Sequence, residues 1–496
     1  MKKYSSVFHD IILLLLLFLL GAGLAGCFSH DGDDDSAPPP SETPPENPPP
    51  VVPPPGPAKY IILFIGDGMS LENEIAASRY LYGKDYSLTW HSFPYQAYVT
   101  TWDVDTYNAY AGDLGEPFYD ETTFDPLLGY NPAQGGTAPY PLDTTGNIAY
   151  LLRAYTDSAS AATAYATGLK TDSGNISWLR NDPLNGAIET IGEKLRAQKS
   201  AAFGVVSTMP FSHATPAAFV SHNTSRSNYY QIADEIIGTT VPEVVIGGGH
   251  PSWNGSYMST AQLDTLRSSA TYTLVERVSG QDGGVNLLYA AASLPSDRKL
   301  FGLFGGTGGI FEPPVPRDNP GYPGFMVEGE NPSLSEATQA ALTVLARNQN
   351  GFFLMVEGGD IDQANHANNF AWMVGAMWQL EEAVAAAVEF IDQPGDDMNW
   401  DNTLLIVTAD HCTGGMRLND ALPLGKGDLP RQSGSSYPDN ELSYFSGSHT
   451  NEPVTLYARG ANLDLFSEYE GVRYPGTKLL DNTEVYLVMS RAAGLQ

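Results

Sequence analysis

Cysteine is almost missing from this chain: 496 residues hold only Cys27 and Cys412. That is too few for a disulfide framework, so stability has to come from packing or bound ions. Basic residues are scarce too, with Lys and Arg at 25 against Asp and Glu at 57 and a formal net charge of -32. Such a balance excludes a nucleic-acid footprint and repels anions at long range. An anion site would therefore need local positive charge from a metal, an arginine or a helix terminus. No internal repeat of fixed period occurs, and His9, His30, His91, His222 and His250 have no partner at metal-ligand spacing.

What is present begins with Lys2 and Lys3, the apolar run Ile11 to Leu20 and a set of small residues. This is the layout of a secretory signal; a helix that crosses a bilayer needs about 20 apolar residues. Leu24-Ala25-Gly26-Cys27 resembles the lipobox of bacterial lipoproteins, which implies removal of residues 1–26, a lipid on Cys27 and anchorage of an exported protein to the cell envelope. A plain signal peptide is the alternative. Residues 27–58 combine the acidic cluster Asp31, Asp33, Asp34 and Asp35 with a proline-rich tract from Pro38 to Pro57. That composition makes a tether, with a reach on the order of 60 Å at ~3.1 Å per residue. Once Cys27 carries lipid, Cys412 has no disulfide partner and reads as a small apolar filler.

The folded domain, 59–496, opens with the continuous apolar run Tyr60 to Ile65, the signature of a strand buried on both faces. Comparable runs recur at Ala201 to Val206, Glu243 to Ile246, Phe352 to Val356, Leu404 to Val407 and Val454 to Tyr457. They alternate with helical stretches at Ile188 to Gln198, Glu336 to Asn348 and Trp378 to Ile391. The pattern predicts a three-layer α/β/α sandwich around a large, mostly parallel sheet. Segments near 103–145, 279–331 and 413–448 fit it poorly and read as insertions. Asp103 and Asp105 alternate in the first, which admits a calcium loop or substrate lid as well as an ordinary surface excursion.

Ligands of open α/β sheets bind beyond the carboxyl ends of the strands. Acidic and imidazole residues collect after successive apolar runs: Asp67; His213 and Thr215; Glu357, Asp362 and His366; Asp410 and His411. His449 precedes the Val454 run. Asp362 and His366, four apart, would share a helical face and suit a metal, although such a pair is also common on surfaces. Ser158 opens the alanine-rich helix Ser158 to Ala164, where a hydroxyl would meet the positive helix end; Asp157 or Ser158 acting only as a cap is the other reading.

Phe64-Ile65-Gly66-Asp67-Gly68-Met69, Thr156-Asp157-Ser158-Ala159-Ser160-Ala161-Ala162-Thr163-Ala164, His213-Ala214-Thr215-Pro216, Val356-Glu357-Gly358-Gly359-Asp360-Ile361-Asp362, Thr408-Ala409-Asp410-His411 and His449-Thr450 resemble, in order, the bacterial and animal alkaline phosphatases. The resemblance runs from about Tyr60 to the end. It implies one zinc on Asp362, His366 and His449, a second on Asp67, Asp410 and His411, and magnesium on Asp67, Thr215 and Glu357. Ser158 would be the nucleophile and a metal contact, and Arg226 would grip the phosphoryl oxygens of small phosphate monoesters. Relatives of this kind are commonly homodimers. His213 stands where other members carry aspartate, and Gln363 where several carry a cationic or aromatic residue, which puts metal preference and pH optimum in question. Phosphodiesterases, phosphonate hydrolases and sulfatases share such a two-metal core. A lipid-tethered zinc or phosphate store would carry similar ligands.

Overall fold

The computed structural model describes residues 56–125, 128, 151–312, 314, 329–395, 397–473 and 476–496. The expected signal segment, Cys27 and nearly all of the expected tether lie outside the described residues, as does most of 126–150 and 313–328. Among the described residues no helix is long and apolar enough to cross a membrane.

The strands are β1 (Tyr60–Gly66), β2 (Tyr95–Thr100), β3 (Ala202–Pro210), β4 (Val244–Gly248), β5 (Tyr272–Glu276), β6 (Lys299–Leu303), β7 (Phe352–Gly358), β8 (Thr403–Thr408), β9 (Cys412–Thr413), β10 (Met416–Leu418), β11 (Leu442–Tyr444), β12 (His449–Thr450), β13 (Val454–Gly460) and β14 (Leu479–Asp481). Ten of them form one sheet in the order β14-β2-β13-β8-β1-β7-β3-β4-β6-β5. Every neighbouring pair is parallel except the two made by β13, which runs against both β2 and β8. β9 pairs with β12 and β10 with β11 in two small antiparallel ribbons.

Every residue of β1, β3, β7 and β8 is buried, as continuous apolar runs demand when helices cover both faces of a sheet. The helices Leu71–Tyr82, Gly283–Ser293, Leu334–Leu345 and Phe370–Ile391 pack together as one group, and Ser158–Thr167, Ile191–Lys199 and Asn482–Ala492 as another. The result is an α/β sandwich. Helix starts are set by short polar side chains: Ser70, Asp157, Thr190, Ser333, Asn369 and Asp481 each accept a first-turn backbone N–H that would otherwise lack a partner.

The six strands expected from apolar runs are present. β2, β5, β6 and β14 were not anticipated. β6 and the helix Gly283–Ser293 lie inside 279–331, so part of that expected insertion belongs to the scaffold. The first expected insertion holds the helix Val104–Leu114, whose Tyr107 and Tyr110 pack with Trp102, Tyr119, Leu151 and Leu479 in a small core of their own. Asp103 and Asp105 diverge there. Asp103 is buried and caps that helix, accepting from Thr106 N at 2.7 Å, while Asp105 accepts from Ser173 N at 2.8 Å.

His222 ties two helices to the sheet's flank, with Nε2 3.2 Å from Glu193 and Nδ1 2.8 Å from Glu235. Burial disfavours its cationic form, but the two carboxylates outweigh that and push its pKa up to about 10. Because that value lies above the ordinary 6.5, the pair's contribution to stability is complete below pH 6.5 and is lost as pH climbs toward 10. His222→Gln should therefore cost about 2 kcal/mol at pH 6 and almost nothing near pH 10. Thermal melts of both proteins from pH 6 to 10 measure this; a pH-independent gap would show that the imidazolium is not what is lost.

Candidate metal centre and active site

β1, β7 and β8 end side by side, with Gly66 opposite Gly358 and Ile65 opposite both Glu357 and Thr408. The residues that follow them therefore share one rim of the sheet. β3 adds Ser207, which pairs with Glu357, and delivers His213 and Thr215 just beyond its end. β13 is reversed, so its beginning lies there: Val454 pairs with Val99 and Leu456 with Thr408. His449, just upstream, arrives at the same rim from the opposite chain direction.

Asp362, His366 and His449 bring one ligand atom each within 4.8 Å of one another, and so do Asp67, Asp410 and His411. In the first set His366 Nε2 is 3.3 Å from Asp362 Oδ2 and His449 Nε2 is 3.6 Å from Oδ1. In the second His411 Nε2 lies 3.4 Å from Asp67 Oδ1 and 3.3 Å from Asp410 Oδ2. The sets adjoin: the His411 and His449 rings stack at 3.6 Å between centroids. Gly68 permits this approach, since with φ at +71° a Cβ there would sit 2.8 Å from the Asp362 Cα.

Protons on the imidazoles follow from their outer partners. His366 Nδ1 donates to Gly447 O (2.9 Å) and His449 Nδ1 to Thr156 O (2.7 Å). Thr413 Oγ1 donates to Asp362 Oδ1 at 2.6 Å, so its oxygen accepts from His411 Nδ1 at 3.2 Å. All three rings thus hold a proton on Nδ1 and, when neutral, aim a bare Nε2 at carboxylate oxygens. Lone pairs facing lone pairs repel unless a proton or a cation lies between them. Burial pushes Asp67 and Asp410 well above the usual carboxylate range, helped by neighbouring acids, and pushes His411 and His449 down. Asp362 keeps His366 protonated up to about pH 8. The donor set fits divalent cations, as carboxylate-and-imidazole ligand groups do.

A third group is all oxygen. Asp67 Oδ1, Thr215 Oγ1 and Glu357 Oε1 are buried and make no well-formed hydrogen bond, while the other Glu357 oxygen accepts from Ser207 Oγ. Burial raises the Glu357 carboxyl to about 7 against the pull of Ser207, Thr215 and Asp67.

Ser158 opens its helix beside these groups, 3% exposed, with Oγ 3.1 Å from His411 Nε2. Asp157 caps the helix through Ser160 N at 3.0 Å and also accepts from Arg226 Nη1 at 2.8 Å. Burial opposes its charge, yet Arg226 and Ser160 hold its pKa at about 2. Arg226 Nη2 donates to His213 Nε2 at 3.4 Å; burial and then this cation keep His213 neutral, at about 3. Gln363 Nε2 lies 3.3 Å from Asp362 Oδ2. Every residue named from the sequence for this site, Cys27 apart, therefore stands in or beside one cluster. Cys412 is buried filler, its Sγ 3.7 Å from Met69 O.

Sequence reasoning missed Thr413, Ser207 and Asp360. Thr413 and Ser207 are ordinary strand residues whose role comes from a partner far along the chain. Asp360 is buried with neither oxygen well hydrogen-bonded, and burial raises it to about 8 against Thr208. An acidic residue inside a motif already rich in acids gave no separate signal.

A mostly parallel α/β sheet with two carboxylate–imidazole groups able to hold cations at its carboxyl rim, beside a serine at a helix start, defines a hydrolase-like architecture. The sequence profile described as alkaline phosphatase matches residues 133–455. "Alkaline phosphatase 4" of Bacillus subtilis (strain 168) is 34% identical over 319 residues, 63% of this chain and 61% of that protein. The chain thus spans about six tenths of that relative. The alkaline phosphatase of Escherichia fergusonii is 30% identical over 483 residues, 89% of this chain and 87% of its own. Among solved structures, a His-to-Asp variant of TAB5 alkaline phosphatase with Mg bound in its M3 site superposes with a TM-score of 0.60 at 22% identity, covering 89% of this chain and 99% of that one. At that identity the likeness speaks for the fold. The chain belongs to the alkaline phosphatase family.

Thr413 touches both ligand sets without ligating. Thr413→Val should weaken divalent-cation binding about 10–100-fold, by freeing Asp362 and the His411 tautomer. Titration of the metal-stripped variant with zinc reads this; unchanged affinity would leave Thr413 a mere strand residue.

Proposed function

We propose that this protein hydrolyses phosphate monoesters to an alcohol and inorganic phosphate through a phosphoserine on Ser158. The observation that carries this reading is Ser158 Oγ, 3.1 Å from His411 Nε2, at a helix start between two cation-ready groups and beside an anchored arginine. Asp362, His366 and His449 would hold one zinc, and Asp67, Asp410 and His411 a second, since mixed imidazole and carboxylate donors suit that ion. Asp67, Thr215 and Glu357 would hold magnesium, which favours oxygen alone. Bound there, the cations would supply Lewis-acid stabilisation of the attacking and leaving oxygens of an in-line displacement.

The chain's own groups do the rest. The backbone N–H groups at the start of the Ser158–Thr167 helix favour negative charge at the Ser158 oxygen and on the phosphoryl group. Arg226 spends one N–H on Asp157 and one on His213, and its remaining donors are free to grip two phosphoryl oxygens. Asp157, ionised above pH 2, holds that guanidinium in place throughout the working range. Neutral His213 and Gln363 add no positive charge, and His213 in place of an aspartate would weaken the hold on magnesium in the third site. These local cations offset the acidic surface. An exported protein, lipid-anchored through Cys27 and active as a homodimer, is part of the same proposal.

A store of zinc or phosphate that never turns over is the alternative, and it has no use for Ser158. Ser158→Ala should lower p-nitrophenyl phosphate hydrolysis at least ~10³-fold with zinc content unchanged. A variant with full activity would remove Ser158 as nucleophile. Against the diesterases, Arg226 and the third oxygen group predict a strong preference for p-nitrophenyl phosphate over its bis-ester; equal rates would overturn the monoester assignment. Chelation should abolish activity and zinc restore it, whereas chelator-resistant turnover would exclude a metal-dependent step.

A further inference from the structure

The chain that carries Arg226 continues into a cavity of about 300 Å³ lined by Ser227, Asn228, Tyr229, Tyr230, Gln231 and Ser256. It adjoins the segment that carries Arg226. Arg226 N donates to Gly174 O at 2.7 Å, and its guanidinium is held by Asp157 and His213. The Tyr229 ring lies nearly parallel to the His213 imidazole, 6.3 Å between centroids and 12° between planes, while Tyr257 packs edge-on against Tyr229 at 4.9 Å. Tyr229 of the cavity wall thus lies near His213, one of the two residues that hold the Arg226 guanidinium.

The lining has a definite chemistry. None of its six residues is charged or aliphatic. Tyr230 is 47% exposed, and its hydroxyl donates to Gly255 O at 2.5 Å, which restrains the ring. Asn228 Nδ2 is used on Asn223 Oδ1 at 2.7 Å. The side chains of Ser227, Gln231 and Ser256 have no hydrogen-bond partner among the described residues, so their donors and acceptors remain available to a ligand.

We infer that this cavity receives the alcohol portion of the phosphate ester, and that it is suited to a neutral polyhydroxylated group the size of a monosaccharide. The inference rests on the phosphomonoesterase reading above. Tyrosine rings pack against the C–H face of a sugar, and serine and amide side chains bond its hydroxyls. The absence of aliphatic lining disfavours alkyl or lipid phosphates, and the absence of cations disfavours a second phosphate. The volume lies at the small end of ligand cavities.

The test compares glucose 6-phosphate with methyl phosphate, which has the same reacting group and nothing to fill the cavity, on the metal-replete full chain. Tyr230→Ala and Gln231→Ala each remove cavity chemistry without touching the metal ligands, Ser158 or Arg226. Each should raise KM for glucose 6-phosphate about 5- to 10-fold, with kcat and both methyl phosphate constants within about twofold. Equal changes on both esters, or no change on either, would overturn the subsite while leaving the phosphatase reading intact. A parent protein inactive on methyl phosphate would overturn that reading and the subsite with it. Should one variant melt early, the other, on a separate side chain, still decides.

Discussion

Four carboxylates and three imidazole nitrogens face one another at a buried rim, and their lone pairs repel wherever neither a proton nor a cation lies between them. Burial leaves Asp67 and Asp410 reluctant to ionise, while His411 and His449 are reluctant to protonate. A divalent cation would remove both conflicts at once, because it would take the lone pairs that have no other partner. The surrounding hydrogen bonds make sense on the same ground. Thr413, Thr156 and Gly447 each engage the far nitrogen of a ring and leave the near one bare. A cation bound there would couple its binding to local folding, because the packing around β1, β7 and β8 holds together groups that would otherwise drift apart.

The sheet's topology is what makes that gathering possible. Parallel strands end at one edge, so Asp67, Glu357, Asp410 and His411 are neighbours although they lie far apart in the chain. β13 contributes by reversal, since an antiparallel strand brings its start to the edge where the others finish. Ser158 reaches the same place on a helix capped by Asp157, and that cap also anchors Arg226. One carboxylate thereby sets the helix of Ser158 and the Arg226 guanidinium relative to each other, a coupling that no separate pair of residues would give.

Much of this was legible beforehand where the sequence carries a periodic or local signal. The doubly buried strands announced themselves as unbroken apolar runs, and Asp362 and His366 as an i,i+4 pair. β2 alternates buried and exposed residues (Tyr95, Gln96, Ala97), and β14 has only three residues, so neither gave an apolar run long enough to count. β6 was hidden in a segment that fits the strand–helix alternation poorly and reads as an insertion. The roles of Thr413, Ser207 and Asp360 depend on partners found only in space, and the cavity after Arg226 is formed with Ser256, from another part of the chain.

By itself the sequence determined which chemistry was on offer: carboxylates and imidazoles after strands, a serine at a helix start, an acidic chain that needs local positive charge to hold an anion. Those follow from residue type and short-range spacing, which the chain states directly. Only the tertiary structure decided which side chains meet, which nitrogen of each ring is bare, and that Asp157 serves both Ser158 and Arg226. Such facts depend on strand order, on the reversal of β13 and on burial, and these are fixed by packing between segments hundreds of residues apart rather than by any local pattern.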